Sequence, residues 1–187
     1  MNENVEPGKI DILPDPPDFS KFRENWTLPD GRKITLRLIT SKDKRIEKEL
    51  IDGLSVKSSR YRFFHVIKDA SEEMVNKFCD IDYKNEIAII AEYDSSDKKQ
   101  NVGVVRLFID PGSQTGEFAI LVADRFQGSG LGTKFMEILV DLARKRGLKS
   151  MYAIVLSENV RMLALLKKMG FSFGENSDGE VNVKLQL

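Results

Sequence analysis

E-F-A-I-L-V-A-D-R-F-Q-G-S-G-L-G-T, residues 117–133, is the stretch on which the fold turns. Its apolar run, Phe118 to Ala123, stops at Asp124 and Arg125, and Gln127-Gly128-Ser129-Gly130-Leu131-Gly132 leads into a long helical pattern. A strand that runs through a glycine-rich turn into a helix leaves several backbone N–H groups unpaired at one point. The helix carries its partial positive charge there too. Such a point suits an anionic group such as a phosphate. Two common phosphate motifs fail on spacing. The P-loop needs lysine and then Ser/Thr after its last glycine, whereas Gly132 precedes Thr133 and Lys134, the opposite order. The dinucleotide fingerprint needs G-x-G-x-x-G, and the glycines here fall at 128, 130 and 132. What the stretch does carry is Q-x-x-G-x-G, from Gln127 to Gly132.

The rest of the chain gives that turn a setting. Its 187 residues are 41% hydrophobic and 31% charged, enough for one globular domain with a sizeable core. Lys+Arg and Asp+Glu both number 29, which points away from nucleic acid and membrane surfaces as partners. The single cysteine, Cys79, excludes an internal disulfide and reads as a small buried hydrophobe behind Phe78. With His65 as the only histidine, no metal site and no cysteine nucleophile are expected. No apolar run approaches the ~18 residues of a membrane span, and no signal-peptide pattern opens the chain. The expectation is a soluble, cytoplasmic protein.

Taken in order, residues 1–28 carry four prolines and read as an extended arm, pinned by Phe19, Phe22 and Trp26. A turn at Pro29-Asp30-Gly31-Arg32 precedes a first strand with Ile34, Leu36 and Leu38 alternating. Thr40 and Asp43 resemble a capping box for a helix that faces inward with Ile46, Leu50, Ile51 and Leu54. Residues 55–64, S-V-K-S-S-R-Y-R-F-F, are either a short helix covering the sheet edge or part of the acceptor site. His65, beside two phenylalanines, reads as a packing histidine. Ser71 caps another helix, with Met74, Val75 and Phe78 inward. Residues 87–91 read as a strand buried on both faces, 94–101 as a polar loop, and 102–109 and 116–122 as two more strands of an antiparallel meander. A helix over 130–146, a strand over 151–156, a helix opened by Asn159 and closed by Gly170, and a terminal hairpin follow. The reading is one mixed α/β domain over residues 29–187, with about seven mostly antiparallel strands flanked by helices.

That order of elements, with Q-x-x-G-x-G on the turn after the fourth strand, resembles the GNAT N-acetyltransferase fold. The segment S-E-N-V-R-M-L-A-L-L-K-K-M-G-F, residues 157–171, is similar to the family's second cofactor element. Within the family the likeness is greatest to the GNAT domain of Pat-type protein lysine acetyltransferases. Residues 26–40, 58–64, 80–91, 103–107 and 117–122 carry it. Pat-type proteins often join this domain to a regulatory one, and that regulation is not carried over.

The resemblance implies acetyl-CoA as the acyl donor and no metal. Its pantetheine would lie along Leu121 and Val122, and its diphosphate would meet the N–H groups of Gln127, Gly128, Ser129, Gly130, Leu131, Gly132 and Thr133. Asn159 would hydrogen-bond the pantetheine arm, serve as a plain helix cap, or do both. Glu117 falls at the position of the catalytic glutamate and would act as general base, its pKa raised by partial burial; a solvent-facing strand-end glutamate is the plain alternative. Glu86 is the second choice. Many family members place a tyrosine seven residues after the helix-opening asparagine, and here that position is Leu166. The thiolate then leaves unprotonated or takes a proton from water. The expected activity is direct transfer of acetyl from acetyl-CoA to a lysine amine of a cytosolic protein, plausibly an acyl-CoA-forming metabolic enzyme. The alternatives are a small-molecule amine acetyltransferase and a non-catalytic acyl-CoA-binding regulator.

Overall fold

Residues 102–107 are buried without interruption, and a segment apolar on both faces belongs in the middle of a sheet. In the computed structural model, which describes residues 21–95 and 98–187, that segment lies in β4 (Lys99–Asp110), with β3 (Glu86–Asp94) on one side and β5 (Thr115–Val122) on the other. Beyond β3 lie β2 (Lys33–Leu38) and the edge strand β1 (Arg23–Thr27). Beyond β5 lie β6 (Ser150–Leu156), β8 (Glu180–Gln186) and β7 (Ser172–Ser177). The order is β1-β2-β3-β4-β5-β6-β8-β7. Only β5 and β6 run parallel; all other neighbours are antiparallel.

Period-two alternation divides the core into two layers. Ile87, Ile89 and Ala91 of β3 face a cluster with α4 (Leu131–Lys145) and α5 (Val160–Lys168). Ala88 and Ile90 face a cluster with α1 (Lys44–Asp52) and α3 (Glu72–Cys79), and Phe63 of α2 (Val56–Phe63) packs there as well. Leu131, Phe135, Ile138, Leu139 and Leu142 of α4 are all buried on one stripe, as their spacing predicts. Each such side chain stabilises the fold by about 1.5–3 kcal/mol relative to exposure. A buried ionic knot ties α1 to the sheet. Glu47 Oε1 accepts from Arg106 Nη2 at 3.0 Å with both side chains 1% exposed, and Asn101 Nδ2 donates to Glu47 Oε2 at 2.7 Å.

Several expectations change. Of the arm read over residues 1–28, residues 1–20, Phe19 among them, lie outside the described residues. Arg23–Thr27 pairs with β2, Trp26 opposite Ile34, which makes eight strands. Phe22 and Trp26 do pack against the core. The polar loop read over 94–101 is cut from both sides, because β3 runs to Asp94 and β4 begins at Lys99. His65 is exposed, so it is not a packing histidine. Cys79 is buried at 2% exposure, and burial pushes its thiol up to about 12.

Candidate active site

β5 and β6 lie side by side for three residue pairs only: Thr115 with Ser150, Gly116 with Met151, and Glu117 with Tyr152. Beyond Glu117 they part. Each keeps its other neighbour, β5 pairing with β4 as far as Val122 and β6 with β8 as far as Leu156. A cavity of about 820 Å³ occupies the gap. Divergence of this kind leaves backbone N–H and C=O groups along the β5 edge, able to pair with an extended ligand as with another strand.

At the far end of the gap β5 passes through a single tight turn, Asp124–Phe126. Phe126 anchors it, 1% exposed, with the Tyr93 ring edge-on at 5.4 Å and the Arg32 guanidinium at 4.0 Å over its face. Gly128 and Gly130 then take φ of 77° and 88°, a left-handed conformation that side chains disfavour. No side chain caps α4, so the N–H groups of Leu131, Gly132 and Thr133 have no partner within the helix and lie at its positive end. Gly132 is helical, and a Cβ there would meet Leu165 at 3.7 Å and Ile120 at 3.9 Å, ordinary contacts. The chain itself has room for a side chain at 132; a ligand pressed against the helix end does not. These residues therefore fit the diphosphate and pantetheine of acetyl-CoA.

The second wall of the cavity is α2, which is tied to both lips of the gap. At its N-terminus the Asp124 carboxylate accepts from the Ser55 N–H at 3.0 Å, the Ser55 hydroxyl at 2.7 Å and the Ser58 hydroxyl at 2.8 Å. Partial burial alone would raise the Asp124 pKa, yet these donors hold the carboxyl below the usual carboxylate range. The Gln127 side-chain amide donates to Ser58 Oγ at 3.0 Å and to the Val122 carbonyl at 3.1 Å. Further along, Arg60 Nε pairs with Glu158 at 2.9 Å, and the Tyr61 hydroxyl donates to the Glu158 carbonyl at 2.9 Å. The helix thus bridges from the turn after β5 to the loop before α5. Of residues 55–64, Val56–Phe63 form a short helix, and that helix lines the cavity.

Glu117 sits at the throat, on the last pair before the strands separate, in one row with Phe108 of β4 and Tyr152 of β6. It is exposed, which corrects the expected partial burial. Glu86 lies at the end of the same row, opposite Phe108. Its carboxylate is held by Arg106 Nη1 at 2.9 Å, and burial pushes its pKa up. Glu117 lines the cavity and Glu86 does not.

The remaining expected residues fall as follows. Leu121 and Val122 line the gap, although Gln127 occupies the Val122 carbonyl. The Ser129 hydroxyl donates to the Phe126 carbonyl at 2.6 Å, which leaves Ser129 its backbone for a ligand. Asn159 caps α5, its Oδ1 accepting the Met162 N–H at 3.3 Å, and it lines the cavity. Leu166 is fully buried in the core. The sequence reading did not pick out Asp124, Ser58 and Glu158. The one signal for them was the density of hydroxyls in 55–59, which called for an acceptor nearby in space.

Comparisons with known proteins agree with this geometry. Residues 55–171 match the model of the acetyltransferase (GNAT) family. An acetyltransferase of Pseudomonas aeruginosa is 30% identical over 162 residues, covering 86% of this chain and 87% of its own length. The spermidine N(1)-acetyltransferase of Escherichia coli is 24% identical over 151 residues, 78% of this chain and 76% of its own. Among solved structures, the GNAT domain of S. lividans PAT has a TM-score of 0.78 at 25% identity, covering 88% of this chain and 97% of that one. The spermidine N-acetyltransferase of Vibrio cholerae, solved with CoA and spermine, has a TM-score of 0.67 at 20% identity, covering 82% and 95%, and is a likeness of fold alone.

Proposed function

The chain belongs to the acetyltransferase (GNAT) family and is an acetyl-CoA-dependent N-acetyltransferase; from that premise we propose that it acetylates lysine side chains of a protein, with Glu117 as general base. The position of Glu117 carries this reading, on the last β5–β6 pair where the cavity begins.

Acetyl-CoA, when bound, supplies the acetyl group as an activated thioester. The N–H groups of Gly128, Gly130, Gly132 and Thr133, which line the cavity, would hold its diphosphate, whereas the Gln127 N–H is taken by the Asp124 carbonyl at 3.2 Å. The free edge of β5 near Leu121 and Val122 would align its pantetheine, and Asn159 would donate to the same arm. A free lysine, with pKa ~10.4, is neutral in only about one molecule in 10³ to 10⁴ at pH 7. Glu117 therefore takes the ammonium proton before attack; the neutral amine then forms the C–N bond as the thioester C–S bond breaks, and its second proton passes to solvent. Transfer is direct, because Cys79 is buried away from the cavity and its thiol stays protonated. Leu166 offers the leaving sulfur no proton.

Two features support a protein acceptor. Phe64, Phe108, Tyr152 and Ile154 are exposed around the mouth of the gap, at 37–45%, a surface suited to a macromolecule. The sequence segments shared with Pat-type lysine acetyltransferases and the PAT domain structure agree with it. An acyl-CoA-forming metabolic enzyme is the first acceptor to try. The spermidine acetyltransferase relatives favour a second reading, in which the acceptor is a small amine. Acetylation assays on candidate proteins and on polyamines separate the two.

Glu117→Gln is expected to leave acetyl-CoA binding near normal and to lower kcat by roughly 10²-fold or more. Binding is measured by calorimetry and turnover by CoA release. Unchanged kcat would remove Glu117 from the mechanism.

A further inference from the structure

Two arginines and three glutamates gather near the cavity, and Arg106 pairs with two of the glutamates, which leaves Arg62 and Glu117 outside any ion pair among the described residues. Arg106 holds Glu47 through Nη2 at 3.0 Å and Glu86 through Nη1 at 2.9 Å. Arg62, in the last turn of α2, makes no hydrogen bond or ion pair among the described residues. Its guanidinium lies instead over the rings of Phe63, at 4.9 Å, and Phe78, at 6.0 Å. It is partly buried and lines the same cavity as Glu117.

An unpaired arginine on an open surface needs no explanation, since water satisfies it. Arg62 differs in where it faces: it lines the reaction cavity, and its guanidinium nitrogens stay open there, so a fixed planar fork of N–H donors is available to a ligand. Burial and the like charge of Arg106 pull this guanidinium down to about 10, while Glu47, Glu117 and Glu86 act the other way, so it remains a cation at neutral pH. Of the acids near it, Glu47 and Glu86 are already held by Arg106, and Glu117 acts on it without forming an ion pair.

We propose that Arg62 is an anion subsite for the acceptor, holding a carboxylate carried close to the amine that Glu117 deprotonates. This rests on the reading of Glu117 as the base. The enzyme then selects lysines flanked by an acidic side chain. It also disfavours polyamines, whose second positive charge would face Arg62 instead of an acid. Phe63 and Phe78 fix the plane of the guanidinium, so a carboxylate meets a pre-set pair of donors.

The test uses the full chain, saturating acetyl-CoA and paired acceptors. One pair is a lysine peptide with flanking Asp/Glu and its Asn/Gln counterpart; the other is free lysine and lysine amide; spermidine stands alone. The readout is the ratio of kcat/KM within each pair, which does not depend on the fraction of folded enzyme. The wild type is expected to favour the acidic member by about 10- to 100-fold, mainly through KM. Arg62→Gln should bring that ratio to about one, and Arg62→Lys should restore part of it. A preference in the peptide pair assigns the carboxylate to a flanking side chain. A preference in the amino-acid pair alone keeps the subsite and overturns the protein-lysine reading. A wild-type ratio near one, or a ratio that Arg62→Gln does not move, overturns the subsite and leaves the lysine reading standing. Turnover confined to spermidine overturns both.

Discussion

Gly132 separates what the chain requires from what its ligand requires. Gly128 and Gly130 have positive φ, so substitution there strains the backbone whether or not a ligand binds. At Gly132 the backbone is helical and a Cβ has room. Gly132→Ala should therefore raise stability by roughly 0.5–1 kcal/mol, the usual gain of alanine over glycine inside a helix, while weakening acetyl-CoA binding at least tenfold. Differential scanning calorimetry and titration calorimetry on one sample read both. Unweakened binding would move the diphosphate away from this helix end. Single positions were legible to different depths. The place of Glu117 at a strand end could be read from the residues, and its exposure could not, because exposure depends on elements distant in sequence. Asn159 as a helix cap was legible because the contact is local, its donor, the Met162 N–H, three residues away. The bond between Asp124 and Ser58 spans 66 residues, and no local pattern announces it.

At the scale of elements, α2 depends on Asp124. Its carboxyl is held below the ordinary range, so its contribution is fully present above the unfolded value of about 4 and is lost as pH falls through the lower folded value. Amide exchange in α2, corrected for intrinsic rates, should thus be flat from pH 7 to about 4 and rise below that. In Asp124→Asn it should already be faster at pH 7, with weaker dependence on acid. Equal protection of α2 in both proteins would dismiss the clamp. α1 is held differently, through Glu47 beneath it. Glu47→Ala leaves Arg106 buried without its main partner and should cost about 3–5 kcal/mol in a urea titration. Helical spacing found α1 through Ile46, Leu50 and Ile51. Glu47 shares their buried face, and only the arrival of Arg106 from β4 makes an acid tolerable there. β1 was missed for a related reason: in R-E-N-W-T only Trp26 is apolar, and an edge strand with one half-covered face shows little alternation.

For the whole molecule, the order of strands and helices was legible because each long element carries its own period. The divided sheet was not legible in the residues themselves, since parallel pairing has no short-range signature. Its consequence for stability can be measured. Three residue pairs join β5 to β6, so a ligand spanning the gap adds contacts that the free chain lacks. Acetyl-CoA at 100 times its Kd should raise stability by about 2.7 kcal/mol by mass action, and ATP, which has no pantetheine to lie along β5, by much less. A thermal-shift series with acetyl-CoA, CoA and ATP reads this, and equal shifts for all three would contradict the placement. A sheet left incomplete at its centre has an outcome at the level of the cell. Chains in a cell short of CoA and its thioesters together would sit nearer their unfolding limit and be degraded sooner, so the abundance of this enzyme would follow the size of that pool.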